Sequence, residues 1–531
     1  MSQNANPPDG SAPTWWNFSG NVEHLPPTDG EQYYYTPANL QDLQAVLTLA
    51  QQKGVTVRVS GQRHSQPPLV TDDNRADPPP APTGFLVDMS CYIDVGTDPY
   101  PGIKLGPGPN QITVNPGVRE DDVDAFLTKH DLMFKTVTAG GFFSLGGMTA
   151  VDVHGATVEA PIFAETASSF VVVGPNGQPQ TIDASSSPIG NWTPLQFARV
   201  SLGGLGIVTQ IILDVQPRPF ANTLQGGTQW YFWKDQTSFV AGMQDLLTGS
   251  SKHNRLEIFF TPYAAPWGAD NFLVLWWNIV DPTTPIPNIP TDPPTACALS
   301  QEGKYGAGKI PSPGVADSQY LSLYPIPAAI ALAGLKVIEY QAGVANANYS
   351  ELWLSEASQV MFMSYFIELP NLDAAGLGKV WAGLDAVTQI VLQYGKFHIA
   401  APMEFRFVKA GNSAMSGTYS TNADSYFVNL DLIGFVDPVP SSEYPEALLQ
   451  FFADVERQWV AMGGFPHNGK MYGFYDPTQP AGTYTPAFNQ NFLNALGTRR
   501  GERQQAYNSY RASQDPTGLF YNAYLRALME G

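Results

Sequence analysis

The spacing of apolar residues changes near residue 217, where the segment QPRPF interrupts the pattern. Before this point, short apolar runs alternate with helical periods. Thr36-Pro37 predicts a helix start, with Thr36 as the N-cap, and apolar residues follow at helical spacing over 40–49. The next segment, VTVRVSG, predicts a short strand that ends in a glycine turn. A second helix is predicted at Glu120–His130.

The second half is richer in long aromatic strands. These are predicted in LEIFFTPY, NFLVLWWNIV, MFMSYFIEL and YFVNLDLIGFV. Helices are predicted between and after them, at Ala374–Tyr394 and Ser442–Met462. Helices on one face of an antiparallel sheet make an α+β domain. The sequence therefore predicts an α+β fold in two lobes, with domains at 1–217 and 218–500 and a helical C-terminal segment at 501–531.

Composition and charge narrow the classes of function. The 531-residue chain has 27 Lys and Arg against 47 Asp and Glu, a net charge of −20. This charge disfavours binding to nucleic acid or to an anionic bilayer. The apolar run Ile326–Val337 contains Pro327 and is shorter than the ~18 residues of a membrane span. No integral membrane segment is therefore expected.

The two cysteines, Cys91 and Cys297, exclude a disulfide framework and a cysteine-only zinc site. A single bridge and two buried thiols both stay open, and no metal site is predicted. The N-terminal residues MSQNANPPDGSAP lack the basic and apolar regions of a secretory signal. A mature secreted or periplasmic chain whose leader has been removed would begin in the same way, so the sequence leaves localisation open, as it does the choice between monomer and homo-oligomer.

Three glycine-bearing loops interrupt the first half, at Arg58–Leu69, Ala139–Ala156 and Ser201–Gln210. Glycine allows close approach of the backbone to a ligand, and the N–H groups of such loops can surround a diphosphate. Each loop alone is equally compatible with ordinary turns and strand packing. His64 in the first loop and His154 in the second are candidate ligand contacts, or histidines hydrogen-bonded within the fold.

A fourth candidate site lies on the predicted strand in HIAAPMEFRFVKAG. Glu404 and Arg406 alternate on this strand and therefore share one face. An ion pair on the protein surface would explain the presence of both residues. The apolar neighbours instead favour burial of the pair. A buried ion pair is costly unless it has a function or is fully hydrogen-bonded. In a pocket without water, Arg406 would stabilise negative charge that develops during a reaction, and Glu404 would orient the Arg406 side chain.

Together, the three loops resemble flavoproteins of the vanillyl-alcohol oxidase type, which share the PCMH-type FAD-binding domain. PANLQDLQAVLTLAQQKGVTVRVSGQRHS resembles the family's helix, strand and GxxHS start, and PGVREDDVDAFLTKHDLMF resembles the segment after its xPG turn. The resemblance covers Tyr33–Pro217 and implies that residues 1–217 bind FAD. It also implies a covalent 8α-histidyl bond between FAD and a ring nitrogen of His64. The implied FAD-binding residues are Ser60, Gly61, Gln62, Arg63, His64, Ser65, Pro116, Gly117, Gly140, Ser144, Gly146, Gly147, His154, Gly206, Ile207 and Asn522.

The second half resembles two branches of the same family. P-x-E-x-R around Glu404 and Arg406 is similar to aldonolactone, alditol and type II cholesterol oxidases. WWNFSGNVE, VANANYSELWLSEASQVMFMSYFIEL and SYFVNLDLIG resemble the type II cholesterol oxidases, and LEIFFTPYAAPW puts Glu257 near their catalytic glutamate. FPHNGK instead resembles the PHWGK of lactone and alditol oxidases, with Asn468 in place of the tryptophan. DPTGLFYNAYLRAL resembles a shared terminal segment, which implies that residues 501–531 return to the FAD-binding domain.

The function implied by the resemblance is oxidation of a secondary alcohol, with hydride passed to covalent flavin and dioxygen reduced to hydrogen peroxide. The expected partners are a small-molecule alcohol and dioxygen. A sterol-like substrate is favoured by the type II likeness and the aromatic second domain, although these aromatics would equally form a core. The alternatives are an alditol, sugar or lactone oxidase, and a flavin-binding protein without turnover. The implied catalytic residues are Glu404, Arg406, Glu257 as the base, Asn429 as a polar contact, and Lys470.

Overall fold

The computed structural model describes residues 14–27, 31–75, 84–97, 99–263, 270–281, 311–354, 358–393, 395–437 and 439–530. Helices and strands are mixed throughout these ranges, and the predicted α+β class is confirmed. Cys91 is disulfide-bonded, which excludes a free thiol at that position. The other cysteine of the chain, Cys297, lies outside the described residues.

The first half contains two main sheets. A three-stranded parallel sheet has the order β3-β5-β4, and a five-stranded antiparallel sheet has the order β10-β9-β11-β7-β6. Two short antiparallel pairs, β1-β2 and β8-β12, lie beside them. The strands are β1 (Trp15–Trp16), β2 (Glu23–His24), β3 (Tyr34–Tyr35), β4 (Val57–Ser60), β5 (Phe85–Asp88), β6 (Ile103–Leu105), β7 (Gln111–Val114), β8 (Leu132–Met133), β9 (Ala167–Val173), β10 (Pro179–Asp183), β11 (Ile207–Asp214) and β12 (Gln216–Pro217). The helices are α1 (Leu40–Lys53), α2 (Glu120–Lys129), α3 (Leu145–Ala150) and α4 (Pro194–Ala198).

Helix α1 begins later than predicted. Its N-cap is Asn39, whose side chain accepts a hydrogen bond from the Asp42 backbone at 3.0 Å, and not Thr36. The reason is that Thr36 directly follows β3, which is still extended and paired with β5. The helix ends at Gly54 with φ 66°, a left-handed conformation that glycine adopts without strain.

The second half is built on a seven-stranded antiparallel sheet. Its strand order is β13-β15-β14-β17-β18-β16-β19. The strands are β13 (Leu224–Tyr231), β14 (Arg255–Phe260), β15 (Phe272–Ile279), β16 (Val360–Leu369), β17 (Met403–Lys409), β18 (Tyr426–Phe435) and β19 (Phe465–Pro466). The helices are α5 (Gln236–Thr248), α6 (Pro313–Ser318), α7 (Pro325–Ala347), α8 (Ala374–Gln393), α9 (Glu446–Ala461), α10 (Gln490–Arg500), α11 (Glu502–Gln514) and α12 (Ala523–Glu530).

The two faces of this sheet pack against different helices. Phe272 and Val274 of β15 belong to the large core that includes α5, α8 and α9. Leu273 and Leu275 point the other way, because side chains alternate along a strand, and they cluster with Leu335 of α7. Helix α7 therefore lies on the opposite face from α5, α8 and α9.

Helix α7 is longer than the sequence pattern indicated. It spans 23 residues and, among the described residues, is the one helix long and apolar enough to cross a membrane by length and composition. The expected apolar run Ile326–Val337 is only part of it. Pro325 and Pro327 lie in its first turn, where a missing backbone N–H breaks no helical hydrogen bond.

The C-terminal segment contacts the first half. The Val57 backbone N–H donates to the Leu519 carbonyl at 2.7 Å, and Arg58 Nη1 donates to the Phe520 carbonyl at 2.6 Å. These contacts fit the expected return of residues 501–531 to the first domain. The boundaries at 217 and 500 stay a prediction, since one large cluster of buried side chains runs through both halves.

Candidate functional site

A cavity of about 610 Å³ lies between the glycine-bearing loops of the first half and one face of the seven-stranded sheet. Helix α7 forms part of a third wall. A volume of this size is typical of small-molecule sites. The cavity therefore joins the two regions that the sequence analysis singled out separately.

Most of the expected cofactor-binding residues line this cavity. They are Ser60, Gly61, Gln62, Arg63, His64, Ser65, Pro116, Gly117, Gly140, Ser144, Gly146, Gly147, His154 and Gly206.

Two of the expected cofactor-binding residues lie elsewhere. Ile207 is buried in β11 within the core. Asn522 precedes α12, where its Oδ1 accepts from the Leu525 backbone at 3.1 Å and its Nδ2 donates to the Pro68 carbonyl at 2.9 Å. Both residues hold the chain near the cavity and are not part of its wall. A direct contact between either residue and a cofactor stays a prediction.

His64 is enclosed by aromatic rings. Phe18 stacks on it with ring centroids 4.0 Å apart, Phe143 meets it edge-on at 4.6 Å, and Phe142 lies at 5.0 Å. Burial holds the pKa of His64 well below its usual range, and the positive charge of Lys470 adds to the effect. The imidazole is therefore neutral at physiological pH, and its buried Nε2 has no hydrogen-bond partner in the described structure.

The N-terminal arm, residues 15–22, holds the His64 loop in place. The Phe18 backbone donates to the Arg63 carbonyl at 2.7 Å. Asn17 Nδ2 donates to the Ser65 carbonyl at 3.0 Å, and Asn21 Nδ2 donates to the Gln66 carbonyl at 2.9 Å. The sequence alone does not reveal this role, because nothing in the local pattern indicates which distant loop the arm contacts.

Glycine permits the close approach of the loops beneath the cavity. A Cβ on Gly61 would lie 2.4 Å from Ser144 Oγ, and one on Gly117 would lie 2.3 Å from the Met89 carbonyl oxygen. The Gly146 backbone N–H also donates to the Pro116 carbonyl at 2.9 Å. Three backbone segments thus form a narrow cradle below a neutral, unpaired imidazole. These features suit a long cofactor with a diphosphate and an aromatic ring.

Two rows of paired residues lie on the face of the sheet that borders the cavity. In one row, Glu257 of β14 is opposite Arg406 of β17, which is opposite Asn429 of β18. In the next row, Glu404 is opposite Asp431. Alternation along each strand puts both rows on the same face. Glu404 and Arg406 are each only 7% exposed, so the surface ion-pair interpretation is wrong.

Arg406 joins the two rows electrostatically. Its Nη2 lies 2.7 Å from Glu257 Oε1, and its Nε pairs with Glu404. Burial opposes the cation, but the two carboxylates raise the pKa of Arg406. Burial raises the pKa of Glu257 to about 8 even though Arg406 acts against the rise.

Asp431 is a wall residue that the sequence analysis missed. It lines the cavity, and burial followed by the neighbouring charge of Glu404 raises its pKa to about 7. The alternation N-x-D in YFVNLDLIG, which puts Asn429 and Asp431 on one face, was a usable signal. The carboxyl groups of Glu257, Glu404 and Asp431 thus lie near only two cations, Arg406 and Lys470. Because the carboxylates outnumber the cations, one of the three can hold a proton near neutral pH.

Glu257 and Asn429 lie one layer behind the wall. Glu257 accepts from Trp353 Nε1 at 3.0 Å as well as from Arg406. With its amide oxygen turned to accept from Ser364 Oγ at 2.8 Å, Asn429 donates to His154 Nε2 at 3.2 Å and to Asp431 at 3.0 Å. Both residues therefore act on the cavity through their neighbours.

Lys470 lines the cavity, with Nζ 3.8 Å from the centre of the Phe362 ring. Burial lowers its pKa. The preceding Asn468 is buried and fully bonded: it donates to Asp152 Oδ2 at 2.6 Å and accepts from Arg500 Nη2 at 2.7 Å. Lys470 therefore still lines the cavity although Asn468 replaces the tryptophan of the resembling motif. The hydrogen bonds of Asn468 attach the turn before Lys470 to the core.

Two families match separate parts of this chain. Residues 32–183 match the FAD binding domain, and residues 377–528 match D-arabinono-1,4-lactone oxidase. Among curated relatives, L-gulonolactone oxidase of Bos taurus is 21% identical over 504 residues, covering 93% of this chain and 94% of that protein. D-arabinono-1,4-lactone oxidase of Yarrowia lipolytica is 25% identical over 185 residues, 35% of this chain and 32% of that protein.

Solved structures show the same fold. Cholesterol oxidase from B. sterolicum superposes with a TM-score of 0.69 at 15% identity, covering 100% of this chain and 99% of that chain. Xylooligosaccharide oxidase from Myceliophthora thermophila superposes with a TM-score of 0.57 at 13% identity, covering 96% of this chain and 93% of that chain.

We predict that Phe18→Ala weakens the initial, non-covalent uptake of FAD by the apoprotein by about tenfold, since a lost aromatic stacking pair and its packing are worth about 1.4 kcal/mol or more. The change removes the ring stacked on His64 but leaves the backbone hydrogen bond to Arg63. The measurement is flavin absorbance per mole of protein after apoprotein is mixed with a limiting concentration of FAD and unbound FAD is filtered away. Phe232→Ala, at an exposed phenylalanine away from the cavity, is the matched control. Equal flavin content in both variants would mean that the arm does not support the cofactor.

Proposed function

This chain belongs to the vanillyl-alcohol oxidase, or PCMH-type, family of FAD-dependent oxidases, and we propose that it oxidises a bulky apolar secondary alcohol with FAD bound covalently to His64. The observation that carries the substrate proposal is the apolar character of the cavity wall around the Glu404 and Arg406 pair. The covalent bond is supported by the neutral, aromatic-enclosed imidazole of His64.

The residues present fit FAD. The cradle of Gly61, Gly117 and Gly146 brings backbone groups close enough to hold a diphosphate, and His64 is the unpaired buried base at the cavity end of the first loop. A ring nitrogen of a neutral imidazole has the free electron pair that a bond to the 8α carbon requires. FAD held by these residues would supply the hydride acceptor and the two-electron reductant for dioxygen.

The polar rows then supply charge and a proton acceptor. The alcohol loses a proton from oxygen and a hydride from carbon to become a ketone, and dioxygen takes up the equivalent of both as hydrogen peroxide. Arg406 would stabilise the negative charge that develops on the substrate oxygen. Asp431 reaches the cavity directly and, with its pKa near neutrality, suits the role of proton acceptor. Glu257 is a second candidate for the base. Its ion pair with Arg406 supports, to the same degree, a role in orienting the Arg406 side chain.

The side chains around these rows favour an apolar substrate. The apolar residues that line this part of the cavity are Phe259, Ile338, Trp353, Leu354, Phe362, Pro402, Ile433 and Phe435, and they outnumber the uncharged polar ones, which are Gln341, Ser358, Ser364 and His467. A polyol would need a hydrogen-bonding group for each hydroxyl. Asn278 instead bonds the Asn254 backbone and His253, and Glu368 accepts from Ser420, so neither is offered to the cavity. A sterol-like alcohol is consistent with this wall and with the name of the structural neighbour, cholesterol oxidase.

A lactone or alditol is the second candidate. It is favoured by the relatives, which are named lactone oxidases, and by Lys470, which adds a second cation to the cavity wall. A cation near the reacting carbon suits a substrate rich in oxygen atoms.

We predict that His64 carries FAD covalently. Acid-precipitated protein should remain yellow, and a tryptic peptide that contains His64 should carry the flavin mass. His64→Ala should release its flavin into the acid supernatant, because no other residue replaces the bond. His253→Ala, which removes a half-buried histidine stacked on Trp276, is the control and should keep its flavin. Complete release of flavin from the wild-type protein would refute the covalent bond.

We also predict which class of substrate the protein oxidises most efficiently. Peroxide formation should give a kcat/KM for cholesterol more than about tenfold above that for xylitol or for an aldonolactone, a difference of at least about 1.4 kcal/mol in transition-state stabilisation. The apolar residues of the wall give a bulky apolar alcohol contact area that a polyol or a lactone cannot use, and this contact favours the sterol in the transition state. A higher value for xylitol or the lactone would replace the sterol proposal with the second candidate.

A further inference from the structure

Exposed apolar side chains are concentrated on and beside helix α7. Of the fourteen large apolar residues that are exposed in the described structure, seven lie between residues 321 and 344. They are Leu321, Leu323, Tyr324, Ile326, Val337, Tyr340 and Val344. Single exposed apolar residues are normal on a protein surface, but a contiguous group of them marks an interaction site.

The outward side of α7, which we call the outer face, is apolar except for Lys336. Its exposed residues are Ile326, Ala329, Ala333, Lys336, Val337, Tyr340, Gly343, Val344 and Ala347. The helix has only two charged residues, and these neutralise each other: Lys336 Nζ lies 3.1 Å from Glu339 Oε2. A helix that is apolar on all sides is normally covered on all sides.

The inner side of α7 is fixed to the sheet. Leu335 and Ala342 pack with Leu273, Leu275 and Trp277 of β15. Trp230 Nε1 of β13 donates to Glu339 Oε1 at 2.7 Å. The helix therefore cannot span a bilayer without leaving the sheet, but it can lie along a surface.

The outer face continues into the cavity. Gly334, Val337, Ile338 and Gln341 line the cavity, and Val337 is also 55% exposed. One side chain thus reaches both the outer face and the cavity wall. The apolar surface and the cavity wall therefore adjoin at Val337.

We propose that the outer face of α7 docks on the surface of an electrically neutral lipid layer. The apolar strip is about 35 Å long at 1.5 Å per residue, and docking would bury its side chains at the boundary between headgroups and acyl chains. The net charge of −20 favours a neutral lipid layer, because an anionic lipid layer would repel the protein. The same charge disfavours a second copy of the chain as the cover. An apolar molecule could then pass from lipid to cavity beside Val337 without crossing water.

The test is flotation of the full flavin-loaded protein with phosphatidylcholine vesicles, without substrate, so that its result does not depend on the proposed reaction. Wild-type protein should float with the vesicles, and replacing a fifth of the lipid with phosphatidylglycerol should reduce the bound fraction. Tyr340→Glu with Val344→Glu should lower the partition coefficient by about tenfold or more, since each change puts a charge in the interface. Neither residue lines the cavity, and unchanged flavin content reports an intact fold.

The matched control is Leu105→Glu with Leu392→Glu, which adds the same charge at two exposed apolar residues outside α7. This variant should bind vesicles within about twofold of wild type, as expected for surface changes away from an interface. Two results would overturn the proposal. One is wild-type protein that stays unbound at every lipid concentration, which would leave residues 282–310 or a second copy as the cover. The other is equal loss of binding in both double variants, which would assign the effect to net charge alone.

Discussion

The buried ion pairs of Arg406 are the interaction on which the site depends. One guanidinium holds Glu257 and Glu404 on adjacent rows of the sheet, and all three are nearly inaccessible to solvent. Removing one partner from a buried pair typically costs 3–5 kcal/mol, because it leaves a charge without compensation. Such a cluster is an inefficient way to stabilise a sheet. Its cost is better explained by the need for fixed charge in a dry cavity, where preorganised groups act strongly on a reacting molecule.

A second buried arginine organises the opposite side of the cavity. Arg58 on β4 donates to the carbonyls of Leu69, Leu202, Gly203 and Phe520. It thereby ties the His64 loop to the third glycine loop and to the C-terminal segment. The aromatic enclosure of His64 and the cradle of glycines are positioned by these bonds and by the N-terminal arm. The two arginines thus fix the two walls between which the cofactor and the substrate would meet.

Local pattern was enough to predict the class of the fold and the one-sided placement of Glu404 and Arg406. It also predicted helices at 374–394 and 442–462, which the structure has at 374–393 and 446–461. It was not enough where distant segments meet. The stacking of Phe18 on His64 and the bonding of Asn468 to Asp152 and Arg500 depend on packing that no local period encodes. Asp431 could have been found from its alternation with Asn429. Helix α7 was underestimated because a proline was taken as an interruption, although prolines in a first turn start a helix.

The central claim is that Arg406 acts on charge that develops during oxidation, and anaerobic stopped-flow measurement of flavin reduction by the best alcohol substrate tests it most directly. Arg406→Ala should slow reduction by about tenfold to a thousandfold, as for other preorganised donors. Arg406→Lys should recover only part of the rate, because lysine cannot contact Glu257 and Glu404 with one planar fork. Arg457→Ala, which removes an arginine that stacks on Tyr475 away from the cavity, should leave the rate unchanged. An unchanged rate in flavin-loaded Arg406→Ala would contradict the claim and reduce the cluster to a structural role.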